Sequence, residues 1–198
     1  QKKQIILKNL LTYYDLKIDI NLLEKIKSFY DSPGTILNLI KLINEGVIDM
    51  NNPNLIGVKE CGGNERIAHY EQQGIACWSG NDDEAHDARH THNAHGVISV
   101  TSNLIPGLFR QLMDTKNDAL NTSLQPLMNW LFCEPNPIAI NTAMMMTGAV
   151  NPVFRLPYVP LSDEQQAQGE ALINELNVDD IVGNKAKSIK QSDIALLS

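Results

Sequence analysis

Three short apolar runs recur at nearly equal spacing in the chain, and this spacing constrains the fold more than any other feature. The runs begin at residues 55, 75 and 97, so their starts lie 20 and 22 residues apart. Between them stand "ERIAHYEQQG", with the apolar spacing of a helix and Gly74 as a stop, and the polar stretch "NDDEAHDARH". Short strands alternating with short helices are typical of a parallel sheet or barrel. The sequence therefore predicts an α/β fold, with strands at 55–59, 75–79 and 97–101.

Several helices are predicted after the third run. Pro106 suits the first turn of a helix through "GLFRQLMD", because its fixed φ matches that position. The strings "NTSLQPLMNWLF" and "INTAMMMTG" are further helical candidates. Ser162 followed by Gln165 forms a capping-box pattern that predicts a helix through "DEQQAQGEALINEL".

The composition changes near residue 52. Residues 1–52 are crowded with Ile, Leu, Lys and Asn, whereas residues 53–198 are mixed and richer in Gly, Pro, Ala and Met. We predict a domain boundary there, with 1–52 as a divergent or aberrant leading segment. The helical spacing of Leu22, Ile26 and Phe29 indicates ordinary amphipathic helices, and a biased segment that never packs natively is the open alternative.

Charge and composition exclude several classes of partner. The 16 basic and 23 acidic residues give a formal charge of −7 without a basic stripe, so nucleic acid is not an expected partner. With 43% hydrophobic residues and no apolar run long enough to span a bilayer, we expect a soluble globular protein with no membrane partner. No signal-type or Arg/Ser-rich leader is recognisable, so we expect any targeting peptide to be absent or removed.

The cysteines predict a reducing environment. Cys61, Cys77 and Cys133 are an odd number without CxxC pairing, which favours reduced thiols in an intracellular compartment over disulfides or a zinc site. We predict that all three are packing residues.

Lys59 ends the first apolar run and is the most informative charged residue. Burial lowers the pKa of a lysine and leaves more free amine, the form that attacks a carbonyl carbon to make a Schiff base. The alternative is a lysine at a wet strand end or paired with a carboxylate such as Glu60. In a parallel sheet, the carboxyl ends of the strands converge on the ligand, and here they carry Lys59, then residues 79–81, then Ser99 and Thr101. This clustering adds weight to the catalytic interpretation, but the spacing alone leaves both interpretations open.

Five strings in one order extend the argument beyond spacing: "GVKEC", "WSGNDDE", "GVISVTSN", "LFCEPNPIAINTA" and "PVFRLPYVP". Through them, the chain from Asn54 to about Val182 resembles the plant-type dihydrodipicolinate synthases, also called 4-hydroxy-tetrahydrodipicolinate synthases. The resemblance implies the C-terminal part of a TIM (β/α)8 barrel, about strands 6 to 8, followed by C-terminal helices. It also implies an aldolase that condenses pyruvate with aspartate 4-semialdehyde in lysine biosynthesis, with no cofactor, and a chloroplast location.

The resemblance implies a set of site residues. Lys59 falls on the family's Schiff-base lysine, whose amine forms an imine with pyruvate. Ile98 matches a position whose backbone carbonyl faces bound pyruvate, while its side chain is predicted to be core. Gly80 and Asn81 match the seventh-strand end beside the second substrate, and Asn136 matches an eighth-strand-end contact. The structural alternatives are a tight turn at Gly80, a helix cap at Asn81 and a turn residue at Asn136.

Parts of the family pattern have no match in this sequence. The Gly-Thr-Thr-Gly-Glu motif that holds the pyruvate carboxylate is absent, as is the arginine of the fifth-strand motif. The string "YDSPGT" keeps Tyr30 and Pro33 of that motif, which makes Tyr30 the candidate relay tyrosine. The family's tetramer and its feedback inhibition by lysine are not carried over, since the regions that support them lack a match.

Two alternatives therefore stand beside the synthase. One is an inactive truncated relative that acts only as a structural or association module. The other is a sibling pyruvate-dependent aldolase, such as an N-acetylneuraminate lyase, which shares the lysine but uses another aldehyde.

A histidine cluster follows the second apolar run. His86 and His90 are four residues apart on the predicted helix, and His92 and His95 follow them among acidic residues. Such spacing is able to hold a metal. The alternative is a solvated helix with incidental histidines that titrate near pH 6. The resemblance implies no metal here.

Overall fold

The described part of the chain begins with a three-stranded parallel sheet. The computed structural model describes residues 56–197, and the strands follow the order β1, β2, β3 within the sheet. Their bounds are Val58–Glu60 for β1, Cys77–Ser79 for β2 and Gly96–Val97 for β3. Helix α1, Asn64–Gln72, connects β1 to β2, and α2, Ala85–Thr91, connects β2 to β3. The predicted alternation of short strands and short helices is confirmed.

The register of the sheet brings the ends of the strands together. Lys59 pairs with Trp78, and Trp78 pairs in turn with Gly96. Helix α1 buries Ile67 and Tyr70. It ends where predicted, because Gly74 adopts a φ of +75° that favours glycine and donates its N–H to the carbonyl of Glu71.

The third strand is shorter than predicted. We expected a strand over 97–101, but β3 ends at Val97 and a 3-10 helix, Thr101–Asn103, follows it. The backbone N–H groups of Val100 and Thr101 donate to the carboxylate of Asp82. Because these donors are taken by a side chain, the chain turns into the 3-10 helix instead of continuing the strand ladder.

Four α-helices follow the sheet. They are α3 (Pro106–Asp114), α4 (Asp118–Trp130), α5 (Ile138–Met146) and α6 (Asp163–Asn174). Pro106 occupies the first turn of α3, as predicted. The capping box at the start of α6 is also confirmed, because the hydroxyl of Ser162 accepts from the N–H of Gln165 while the Gln165 side chain accepts from the N–H of Ser162.

The main hydrophobic core is helical. Its largest fully buried side chains come from the stretch beginning at residue 104: Leu104, Ile105, Phe109, Leu112, Leu124, Met128, Leu131, Leu161 and Ile173. Apart from Ala85 at the start of α2, the buried members of this cluster all follow the sheet in sequence. The helices therefore carry most of the burial that stabilises the described part of the fold.

Two more strands lie near the end of the chain. Val153–Arg155 (β4) and Ala195–Leu197 (β5) pair in parallel, and two 3-10 helices, Val178–Asp180 and Gln191–Asp193, precede β5. Within residues 56–197, none of the helices has the length and apolar character needed to cross a membrane. The predicted helices around Leu22, the leading segment 1–52 and Tyr30 lie outside the described residues, and the boundary near residue 52 stays a prediction.

The cysteines differ from one another in burial. Cys77 is buried, as predicted for a packing residue, and burial together with nearby Glu71 and Glu60 raises the pKa of its thiol to about 12. The prediction is wrong for Cys61 and Cys133, which are both exposed. Cys61 follows the last residue of β1 and Cys133 lies in the turn after α4, so both belong to connecting segments, which usually run over the surface.

Candidate active site

A cleft of about 460 Å³ opens beside the carboxyl ends of β1 and β3. Its lining residues come from β1, the segment after β3, and the region around α5: Lys59, Ile98, Ser99, Val100, Asn103, Asn136, Pro137, Ile140, Asn141, Met144 and Val150. Three of the five predicted site residues, Lys59, Ile98 and Asn136, thus lie on one cleft. Lys59 and Asn136 are 77 positions apart in the sequence, and the sheet and the turn before α5 bring them together on this cleft.

Lys59 is exposed, and it does not pair with its neighbour Glu60. Glu60 is buried and its carboxylate lies 3.2 Å from the Nε atom of Arg66 on α1. Successive residues of a strand point to opposite faces, so Glu60 faces α1 while Lys59 lines the cleft. Pairing of Lys59 with Glu60 is therefore wrong, whereas the exposure of Lys59 agrees with the alternative of a lysine at a solvent-exposed strand end.

Gly80 provides the space that the Lys59 side chain occupies. A Cβ atom added at Gly80 would overlap the Sγ atom of Cys61 and would lie 2.8 Å from the Cε atom of Lys59. The backbone of Gly80 is not left-handed, so space explains this glycine better than a tight turn does. Its N–H donates to the carbonyl of Glu60, which fixes the end of β2 against the end of β1.

Asn81 joins two segments close to the cleft. Its side-chain amide donates to the carbonyl of Cys61 at 3.1 Å and to the carboxylate of Glu84 at 3.0 Å. It is not the cap of α2, because Glu84 holds that position. The helix-cap alternative is therefore wrong, and Asn81 instead connects the end of β1 to the start of α2. Its contact with a substrate stays a prediction.

Ile98 and Asn136 occupy the cleft differently from what we predicted. The side chain of Ile98 is 52% exposed, so it forms part of the cleft wall and not of the core. Its N–H donates to the carbonyl of Ser79 at 2.9 Å. Asn136 does not follow a strand, because it lies in the turn between α4 and α5. That turn belongs to the helical region, whose position beside the sheet cannot be read from spacing.

Two amide side chains on the cleft were missed by the sequence analysis. Asn103 comes from the 3-10 helix after β3, and Asn141 comes from the middle of α5. The amide of Asn103 donates to the carbonyl of Val100 at 2.9 Å. Together with Asn136, these residues give the cleft neutral hydrogen-bonding groups around a single amine. Such a lining suits a small polar substrate with carbonyl and carboxylate oxygens.

The histidine cluster is structural within the described residues. His86 is 4% exposed, and its Nε2 atom accepts from the N–H of Asn117 at 3.0 Å. His90 lies beside it, with 4.8 Å between ring centroids, and donates from Nε2 to the carbonyl of Leu112. Burial and the nearby His90 lower the pKa of His86. The solvated-helix alternative is therefore wrong for this side of α2.

The metal hypothesis finds no support in the geometry. Across residues 56–197, no three His, Cys, Asp or Glu side chains form a group able to hold a metal ion. His92 instead pairs with the carboxylate of Asp87 at 3.1 Å, and His95 lies 3.9 Å from Glu71. The four histidines thus have separate partners.

A larger cavity, of about 750 Å³, lies away from every predicted site residue. Lys185, Lys187 and Lys190 line it together with residues at the end of α5. The Lys185 amine donates to the carbonyls of Asn174 and Leu176 at the end of α6. This lysine satisfies helix-terminal carbonyls, so we place the candidate chemistry in the smaller cleft around Lys59.

Comparison with known sequences gives one family. Residues 29–176 match the model of the dihydrodipicolinate synthetase family. The chain is 52% identical over 147 residues to the chloroplastic 4-hydroxy-tetrahydrodipicolinate synthase of Zea mays, covering 73% of this chain and 39% of that protein. It is also 52% identical over 147 residues to synthase 1 of Arabidopsis thaliana, covering 74% of this chain and 40% of that one. The chain thus spans about two fifths of the length of these relatives.

Comparison with solved structures confirms the predicted fold. The dihydrodipicolinate synthase of Acinetobacter baumannii, in complex with pyruvate, aligns with a TM-score of 0.59 and 26% identity. The alignment covers 70% of this chain and 49% of that chain. The described residues therefore form the C-terminal part of a TIM barrel followed by helices, as the sequence predicted.

Proposed function

Because the chain belongs to the dihydrodipicolinate synthetase family, we propose that it carries the imine-forming part of an aldolase site in which Lys59 bonds to pyruvate. The proposed reaction condenses pyruvate with aspartate 4-semialdehyde to give 4-hydroxy-tetrahydrodipicolinate, in the diaminopimelate route to lysine. The observation that carries this proposal is the cleft that Lys59 shares with Ile98 and Asn136. The chloroplastic relatives support a chloroplast location.

The proposed chemistry begins with the Lys59 amine. The nitrogen attacks the keto carbon of pyruvate, water leaves, and a protonated imine forms. This imine withdraws electrons from the adjacent methyl group, which loses a proton to give an enamine. The enamine carbon then attacks the aldehyde carbon of the second substrate. Attack by that substrate's own amine on the imine carbon closes the ring and releases the lysine.

The remaining residues of the cleft have supporting roles in this proposal. The carbonyl of Ile98 borders bound pyruvate, Gly80 and Asn81 border the second substrate, and Asn136 is a further substrate contact. Gly80 leaves room for the methylene groups of Lys59. Tyr30 is within the family match, although outside the described residues, and is proposed to relay protons to and from the imine.

The direct test is reduction by borohydride in the presence of pyruvate. Reduction of the imine would leave a stable 1-carboxyethyl group on the lysine nitrogen, which peptide mass analysis locates. We expect the label on Lys59, none on the Lys59→Arg variant, and unchanged labelling in Lys116→Arg, since Lys116 is exposed and distant in sequence from the strands. Labelling of Lys59 no stronger than that of other exposed lysines would refute the proposal.

The labelling experiment also tests the inactive-relative alternative. If the chain folds but Lys59 is unlabelled, this alternative is favoured. If Lys59 is labelled, consumption of aspartate 4-semialdehyde distinguishes the synthase from a sibling aldolase that uses another aldehyde.

A further inference from the structure

We infer that Asp82 is a positioning residue for the cleft, because its carboxylate holds the backbone that carries the Ile98 carbonyl. This inference rests on the proposed function and deepens it. Asp82 comes three residues after the end of β2 and is 1% exposed. It is not among the residues that line the cleft. Any effect it has on the reaction must therefore pass through the groups that it holds.

The contacts of Asp82 are with backbone amides. Its Oδ2 atom accepts from the N–H of Val100 at 3.0 Å and from the N–H of Thr101 at 2.6 Å. Within residues 56–197, no Lys, Arg or His side chain forms an ion pair with it. Burial of a carboxylate without hydrogen-bond donors costs free energy, so these two hydrogen bonds stabilise Asp82 in its buried position. They also tie the residues after β3 to the residues after β2.

The segment held in this way forms one wall of the cleft. Ile98, Ser99 and Val100 all line it. At the other end of this segment, the N–H of Ile98 donates to the carbonyl of Ser79 at 2.9 Å. The Ile98 carbonyl is therefore fixed between two anchors, of which one is a strand hydrogen bond and the other is Asp82. Loss of the second anchor would let this carbonyl turn without unfolding the sheet.

The test uses the full chain and two matched variants. Asp82→Asn keeps the shape of the side chain but replaces one carboxylate oxygen with a donor. Asp83→Asn makes the same chemical change at an adjacent, exposed residue. For each protein, borohydride labelling of Lys59 is measured against pyruvate concentration. We expect the pyruvate concentration for half-maximal labelling to rise about tenfold in Asp82→Asn, because a neutral amide oxygen is a weaker acceptor than a carboxylate for the N–H groups of Val100 and Thr101. Asp83→Asn should match the wild type.

A second readout is independent of pyruvate. Hydrogen exchange of the peptide containing Val100 and Thr101 should become faster in Asp82→Asn and stay unchanged in Asp83→Asn, with peptides of α4 as the internal reference for global stability. If Asp82→Asn fails to fold, Asp82→Glu replaces it. This variant keeps the negative charge but displaces the carboxylate by one methylene group from the N–H groups of Val100 and Thr101. It should raise the half-maximal pyruvate concentration in the same direction.

The outcomes separate this inference from the proposed function. If the wild type is labelled and Asp82→Asn behaves like Asp83→Asn, the positioning role is overturned while the imine chemistry stands. If the wild type itself is not labelled, the proposed function fails and the positioning role fails with it. If Asp82 has only a structural role, Asp82→Asn would lower stability and would reduce labelling by the same factor at every pyruvate concentration. The half-maximal pyruvate concentration would then stay unchanged, which also contradicts the inference.

Discussion

The helical region and the strand-end cleft differ sharply in burial. Phe109 in α3 is 2% exposed and belongs to a continuous helical core, whereas Ile98 on the cleft is 52% exposed. Burial of apolar surface is the main source of stability, so the free energy of unfolding depends mostly on the helices. The candidate chemistry depends on an amine, a glycine and backbone carbonyls at strand ends. Substitutions should therefore be able to change the free energy of unfolding without changing the chemistry of Lys59, and the reverse.

The largest expected effect on folding comes from the helical core. Phe109→Ala should lower the free energy of unfolding by about 3–5 kcal/mol, because it removes a buried ring and leaves a cavity. Urea unfolding followed by circular dichroism measures this change. Phe132→Ala is the matched control, since Phe132 is 43% exposed and should cost far less. Equal losses in the two variants would contradict the division between a helical core and an open cleft.

At the strand ends, Gly80→Ala tests the cleft directly. The added methyl group would overlap Cys61 and press on Lys59, and overpacking of this kind costs about 1–3 kcal/mol. Because the Cys61 and Lys59 side chains are able to move, we expect a cost near the lower end, together with a marked loss of borohydride labelling. Labelling at fixed pyruvate concentration and urea unfolding measure the two effects.

The controls for Gly80→Ala are a second glycine and a compensating change. Gly107→Ala adds a methyl group where no atom lies within 4 Å, inside α3, so neither labelling nor stability should fall. Adding Cys61→Ala to Gly80→Ala removes the overlapping sulfur and should recover part of the stability. Unchanged labelling in Gly80→Ala would mean that the position of the Lys59 side chain does not matter for imine formation.

A smaller effect is expected at the start of α6. Ser162→Ala removes the hydroxyl that accepts from the N–H of Gln165, and it should lower the free energy of unfolding by about 1 kcal/mol. Borohydride labelling of Lys59 should be unchanged. The control is Ser123→Ala, where the hydroxyl only bonds back to the carbonyl of Leu120 inside α4, so stability should stay the same or rise. A loss of labelling in Ser162→Ala would show that the two regions are coupled.

The sequence predicts local features of this fold well and distant ones poorly. Gly74, Pro106 and the Ser162–Gln165 capping box act on their own neighbours, and each is found as predicted. The length of β3 depends on Asp82, 18 residues before Val100, so the strand was predicted too long. Asn136 reaches the cleft through packing of the helical region, which no local pattern records.

The same reasoning applies to the candidate site. The position of Lys59 at a strand end follows from the apolar run that precedes it, and the family resemblance gave Ile98 and Gly80. The exposure of Cys61 and the burial of His86 depend on which segments cover them. For His86, this includes Asn117, which is 31 residues away. Contacts over such distances are set by tertiary packing and leave no periodic signal in the sequence.

The smallest expected effect is a pH dependence of stability that comes from His86. This residue lies on α2, between the strand-end cleft and the helical region. Burial and nearby His90 and Lys116 lower the pKa of His86 below 6.5, despite the opposing charge of Asp118. Between this lowered value and 6.5, the unfolded chain binds more protons than the folded one, so stability is full above about pH 6.5 and falls as the pH drops below it. His86→Gln keeps an acceptor for the N–H of Asn117 but does not titrate. Urea unfolding of wild type and variant is measured at pH 7.5 and at a pH below the lowered pKa. The stability of the wild type relative to the variant should fall, or change sign, at the lower pH. A constant difference over this range would mean that burial of His86 does not contribute to the pH dependence of folding.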